Sequence, residues 1–152
     1  DCGLLLKCHR VTKPGNPLIA YQDLSAFKLY LHDVGLLAAM AGINVQTLIE
    51  GDSIFTEFKG ALTEQYVMQQ LRVESDRFIG YWTNERSTYE VDFVIQDNGK
   101  VLPIEVKSST NLKAKSFQIF CEKYKPESAV RTSLSLFKEE SWMTNLPLYA
   151  IE

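Results

Sequence analysis

Glu90-Val91-Asp92-Phe93 and Ile104-Glu105-Val106-Lys107 alternate polar and apolar side chains with a period of two, on either side of Asp97-Asn98-Gly99-Lys100. That period predicts two strands, each with one apolar and one polar face. Asn98-Gly99 predicts a two-residue type I′ turn between them, because both central positions of such a turn need positive φ. With Asp97 and Lys100 flanking the turn, Asp92 falls opposite Glu105 and Glu90 opposite Lys107. Pro103 supports this register, since it then sits at a pair where no ladder hydrogen bond is required of it. Val91, Phe93 and Ile95 with Leu102, Ile104 and Val106 form the expected core face.

The remaining pattern is of three kinds. Leu4 to Val11 and Leu18 to Tyr21 are apolar runs around Lys13-Pro14-Gly15-Asn16-Pro17, which predicts a β-hairpin within the first 24 residues. Lys7, His9, Arg10 and Lys13 give it a charged side, either a basic wing or a protected edge. Apolar spacing is helical from Leu24 to Met40, interrupted near Asp33 and Gly35 and closed by Gly42. It is helical again from Ile54 to Leu71, with Glu64 at the border of the stripe. Lys113 to Tyr124 predicts a helix with Phe117, Phe120 and Cys121 inward, ended by Pro126. Ala129 to Phe137 and Leu146 to Ile151 predict two more strands. The order from Glu50 is α-β-β-β-α-β-β, an α/β arrangement.

The polar face carries the chemistry. Asp92 and Glu105 form a non-hydrogen-bonded pair, where Cα atoms approach to about 4.5 Å and like charges oppose. Solvent exposure or a divalent cation would relieve that repulsion, and two hard oxygen ligands suit Mg²⁺. Glu90 is either a further ligand or an ion-pair partner of Lys107.

Asp92 followed by Glu105-Val106-Lys107 resembles the D…(D/E)xK signature of the PD-(D/E)xK nucleases, with Val91 where that family's proline is expected. Gly60-Ala61-Leu62-Thr63-Glu64-Gln65-Tyr66-Val67 resembles the family's first helix, and Glu64 matches its metal-holding glutamate. Phe27-Lys28-Leu29-Tyr30-Leu31-His32-Asp33-Val34-Gly35-Leu36-Leu37 is similar to a segment of one branch, the nuclease-like domain C-terminal to an AAA+ type ATPase in prokaryotic proteins. Tyr81-Trp82-Thr83 ahead of Glu90-Val91-Asp92 also fits that branch.

The resemblance implies a restriction-endonuclease-like α/β core over 49–152, with a mixed central sheet flanked by helices. A β-hairpin and helical lead-in over 1–48, a winged-helix-like remnant, would precede it. It implies Mg²⁺ or Mn²⁺ held by Asp92, Glu105, the Val106 carbonyl and Glu64, with Lys107 orienting water and stabilising charge on phosphorus. DNA is the implied partner, and Lys113, Lys115 and Gln118 would touch its phosphates. ATP would act only through the N-terminal ATPase module of the same protein, since no GxxxxGK[ST] loop occurs here. An oligomer is compatible with this reading. The alternative is an inactive nuclease fold that regulates the ATPase or binds protein, with Tyr81, Trp82, Tyr89 and Trp142 as contact residues.

Composition narrows this further. The 152 residues suit one domain, perhaps with a small subdomain, and 45% hydrophobic content can fill a core. The chain opens at Asp1-Cys2-Gly3 without an initiator methionine, as expected of a segment of a longer protein. No apolar run is long enough to span a bilayer, so a cytoplasmic location is expected. Cys2, Cys8 and Cys121 have no CxxC spacing and predict reduced thiols. His9 and His32 are the only histidines, which leaves few candidates for histidine-based catalysis. Formal charge is −3, yet Lys100 to Arg131 carries seven basic residues against three acidic ones, +4 there and −7 elsewhere.

Overall fold

The computed structural model describes residues 3–43, 53–73, 77–109 and 114–151. Eight strands among them form one mixed sheet in the order β2-β1-β3-β4-β5-β6-β8-β7. The strands are β1 (Leu5–Val11), β2 (Gln22–Leu31), β3 (Ile79–Thr83), β4 (Glu90–Asp97), β5 (Lys100–Lys107), β6 (Val130–Ser133), β7 (Lys138–Glu140) and β8 (Met143–Pro147). The helices are α1 (Val34–Met40), α2 (Ser53–Val73) and α3 (Lys115–Tyr124). The expected α/β class with a mixed sheet flanked by helices is what the chain adopts. No described helix is long and apolar enough to cross a membrane.

The β4–β5 hairpin has the predicted turn, with Asn98 at φ 47° and Gly99 at φ 77°. Its register is also the predicted one, Asp97 facing Lys100 and Val94 facing Pro103. The two strands are paired only from the turn to Phe93/Ile104. Against β3, β4 gains one residue: Gly80 faces Val94 but Trp82 faces Val91, so Asp92 and Phe93 together oppose Tyr81. This bulge reverses the alternation. Phe93 and Ile95 therefore join α2 on one face, whereas Val91 joins Val94 on the other. The expectation that Val91 shares a face with Phe93 and Ile95 is corrected by that extra residue.

Both faces are covered. Val67, Met68 and Leu71 of α2 pack on Phe93, Ile95, Ile104 and Val106. Phe117 and Phe120 of α3 pack on Trp82, Val91 and Val94, with Trp82 edge-on to Phe120 at 5.0 Å.

The expected helix from Leu24 to Met40 is a second correction. Residues 22–31 are β2, antiparallel to β1, and only Val34–Met40 is helical. Asp33 starts that helix, its carboxylate accepting from the Leu36 amide at 2.9 Å. Leu24, Phe27 and Leu31 mimic a helical stripe, but Leu24 and Phe27 are exposed on an edge strand. Pairing with β1 overrides the local spacing. The second arm of the expected first hairpin, Leu18–Tyr21, is a 3₁₀ turn leading into β2. The hairpin extends the main sheet, because β1 runs parallel to β3. Likewise Ala129–Phe137 is not one strand. β6 stops at Ser133, whose hydroxyl accepts from Ser135, and buried Asn145 holds Ser133, Arg131 and the Leu136 carbonyl.

Gly80 permits the β1–β3 contact. A Cβ there would lie 2.9 Å from Val11 Cγ1 and 3.0 Å from the His9 carbonyl oxygen. Gly80→Ala is expected to lower stability by about 1–3 kcal/mol, read as a reduced urea midpoint. An unchanged midpoint would mean that β1 yields freely at this crossing.

Candidate functional site

The site is built where β4 leaves β5. Beyond Phe93/Ile104 the backbone ladder is replaced by a side chain: Asp92 Oδ2 accepts the Val106 amide at 2.7 Å. The Val106 amide thus ties Asp92 to β5. Glu105 is only 5% exposed. Its Oε1 lies 2.7 Å from Lys107 Nζ, two residues along the same strand, and its Oε2 is buried without a hydrogen-bond partner.

Burial, then the nearby Glu105 and Glu64, push the Asp92 carboxyl up to about 8, against the Val106 amide and Lys28. Burial also raises Glu105, opposed by its bond to Lys107. Lys107 is the ammonium in contact with this pair of carboxyls, through Glu105.

A second group stands beside them. Gln65 on α2 is buried and clamps the end of β2, accepting from the Leu31 amide at 2.8 Å and donating to its carbonyl at 2.6 Å. Gln69 accepts the Val34 amide at 2.9 Å. The clamp turns Glu64 toward the sheet, where it accepts from the Tyr30 hydroxyl at 3.2 Å and lies 3.6 Å from Lys28 Nζ. Lys28 is ion-paired to Glu90, and its ammonium sits 5.3 Å from the Tyr81 ring centroid. Burial alone would lower the Lys28 pKa, yet Glu64, Glu90 and Asp92 together hold it above its usual range. The Tyr30 hydroxyl is raised by burial and by Glu64.

Residues 59–151 match the family described as a domain of unknown function, DUF4143. The chain belongs to this family. DUF4143 domains are typically found at the C-terminus of AAA ATPase proteins. No curated protein and no solved structure matches the chain at a significant level.

Of the residues singled out in the sequence, this DUF4143 domain brings Asp92, Glu105, Val106 and Lys107 together and sets Glu64 beside them. Lys107 does not face Glu90. The strands have parted before that pair, and the two side chains take Glu105 and Lys28 as partners instead. Lys115 and Gln118 lie exposed on α3, with Gln118 donating to Glu122 at 3.0 Å, and Lys113 lies outside the described residues. Among the described residues no group of three or more His, Cys, Asp or Glu side chains is arranged to hold a metal ion. Cys8 is buried and Cys121 half-buried, both free thiols pushed up to about 12 by burial.

Lys28 and Tyr30 were the residues sequence reasoning missed. Both belong to β2, outside the matched 59–151 span. Two residues apart on a strand, they share a face. That signal was hidden by reading the segment as a helix. Lys28→Met leaves Glu64 and Glu90 without their cation, and is expected to cost about 1–3 kcal/mol in urea unfolding at neutral pH. No loss would show that water neutralises these carboxylates adequately.

Proposed function

We propose that this DUF4143 domain is a PD-(D/E)xK nuclease-like module that binds DNA and hydrolyses phosphodiesters with Mg²⁺ or Mn²⁺. It would act in the cytoplasm beside an AAA+ ATPase module of the same protein. The observation that carries this reading is the pair Asp92/Glu105 at the parted strands, with one buried carboxylate oxygen unpartnered and Lys107 on the other.

The donor set fits a divalent cation. Two hard carboxylates are both held toward their neutral forms by burial, so bringing a cation to them relieves a real deficit. Asp92 and Glu105 would hold it, with Glu64 near enough to add charge or a water-mediated contact. When bound, such an ion polarises a phosphoryl oxygen and acidifies a water. The chain's own part is positional. The Val106 amide fixes Asp92, Tyr30 and Lys28 hold Glu64 toward the sheet, and Lys107 brings a positive charge to the developing oxyanion.

A second reading is a nuclease fold without turnover that regulates the ATPase. It is favoured by the absence of a three-ligand group among the described residues and by the engagement of Lys107 with Glu105. Incubation of plasmid, linear and branched DNA with the chain separates the two. Cleavage with Mg²⁺ or Mn²⁺ that stops in EDTA is expected. Absence of cleavage, with Mn²⁺ still raising the melting temperature, would transfer the conclusion to the second reading.

A further inference from the structure

A groove of about 810 Å³ opens between the β3–β4 loop, β1 and the last turn of α3. Its volume lies within the range of small-ligand sites, about 300–1,000 Å³. Arg10, Arg86 and Lys123 supply its positive charges, and Trp82, Tyr89 and Tyr124 its rings, with Glu85 the one carboxylate of the lining. Arg10 shares its charge with Asp23 at 2.5 Å, and Lys123 sits 4.9 Å from the Tyr124 ring centroid. Arg86 lies at the exposed tip of the loop.

Three residues of this lining carry a buried polar atom without a hydrogen-bond partner. Trp82 is 2% exposed and its indole N–H is buried without a partner. The same holds for the Arg10 Nε–H and the Thr83 hydroxyl. Leaving such buried groups unpaired is costly, so a ligand that supplies acceptors gains from them. The one amide oxygen that could compete is already used, since Asn84 Oδ1 accepts the Thr88 amide at 2.8 Å and the Tyr89 amide at 3.0 Å. Asn84 also donates to Thr88 Oγ1 at 2.9 Å and to the Tyr89 carbonyl through its own amide at 3.1 Å. The loop that carries Arg86 is therefore organised in advance. Surplus donors, net positive charge and aromatic walls describe an acceptor for an anionic oxygen group attached to a ring.

We propose that this groove binds the phosphate and base of one nucleotide, as a site separate from Asp92 and Glu105. Neither Asp92, Glu105 nor Lys107 lines the groove, so it does not share the side chains of the carboxylate site. The inference needs no metal chemistry, and its test is run in EDTA.

The test is fluorescence anisotropy of the full chain with a fluorescein-labelled single-stranded oligodeoxynucleotide. Arg86→Glu/Lys123→Glu is expected to weaken binding by roughly tenfold or more and to lower the salt slope by about 1 for each phosphate contact removed. Lys100→Glu/Lys138→Glu, of equal charge change outside the groove, is expected to bind as the wild type does. Competition by AMP as well as by unlabelled strand would assign the site to free nucleotides. Competition by strand alone would assign it to a unit of a polynucleotide. In a Trp142→Phe background Trp82 is the remaining tryptophan, and its emission is expected to change on saturation. Equal binding by the groove variant, equal weakening by both charge variants, no wild-type binding, or unchanged Trp82 emission would each overturn the proposal. Binding of the strand in EDTA by a chain that does not cleave with Mg²⁺ or Mn²⁺ counts only against the nuclease reading.

Discussion

Lys107→Ala is expected to reduce Mg²⁺- or Mn²⁺-dependent DNA cleavage by about 10²–10³-fold, the cost of removing one preorganised charge from a developing oxyanion. The side chain ends 2.7 Å from Glu105 Oε1, at the only carboxylate of the pair with a buried unpartnered oxygen. Truncating Lys107 removes the cation but leaves Asp92 on the Val106 amide, so metal binding should survive. The measurement is initial cleavage rate at equal folded concentration, alongside a Mn²⁺ titration followed by thermal unfolding. Loss of cleavage with a retained Mn²⁺ shift is the expected pattern. Cleavage at the wild-type rate would remove this hairpin from the chemistry, whatever the source of the activity.

Asp92→Asn should have the opposite effects on stability with and without metal. In the folded chain the Asp92 carboxyl is pushed up to about 8, against 3.8 for an ordinary aspartate, by burial and by Glu105 and Glu64. The folded state therefore holds more protons than the unfolded state between about pH 4 and 8, and stability falls as pH rises through that window. Glu105 contributes in the same direction. Asparagine keeps the acceptor for Val106 and carries no charge. In EDTA at pH 8 the variant is expected to be more stable than wild type by on the order of 2 kcal/mol, and near wild type at pH 4. Mn²⁺ should raise the wild-type melting temperature, most at the higher pH where protons no longer compete, and should not raise that of the variant. A wild-type melting temperature in EDTA that climbs from pH 5 to 8 would contradict the buried pair.

The hairpin was legible because its determinants are local. Asn98-Gly99 selects the turn, the turn selects the register, and Pro103 fits only where its missing donor is not needed. The helix α3 was legible for a similar reason, with Phe117 and Phe120 inward as their spacing requires, whereas α2 is a helix as expected but buries Thr63, Gln65 and Met68 together with Val67 and Leu71. The strand β2 was not. Leu24 and Phe27 repeat at helical intervals, but their segment is held by backbone bonds to β1, which no local period records. The expected placement of Glu90 opposite Lys107 failed similarly, because an ideal ladder does not continue past the point where β4 bulges against β3.

By itself, then, the sequence determined the α/β class and the turn and register of the central hairpin as far as Phe93/Ile104, since these follow from periods and turn chemistry within a few residues. Tertiary structure alone decided that Asp92 takes the Val106 amide, that Glu105 is buried with an oxygen left over, and that Lys28 and Tyr30 hold Glu64 and Glu90. Those outcomes depend on a bulge against a third strand and on Gln65 clamping α2 to β2, contacts between segments distant in the chain. Burial and charge at the site are properties of that packing, which is why the residues could be named from the sequence but their partners could not.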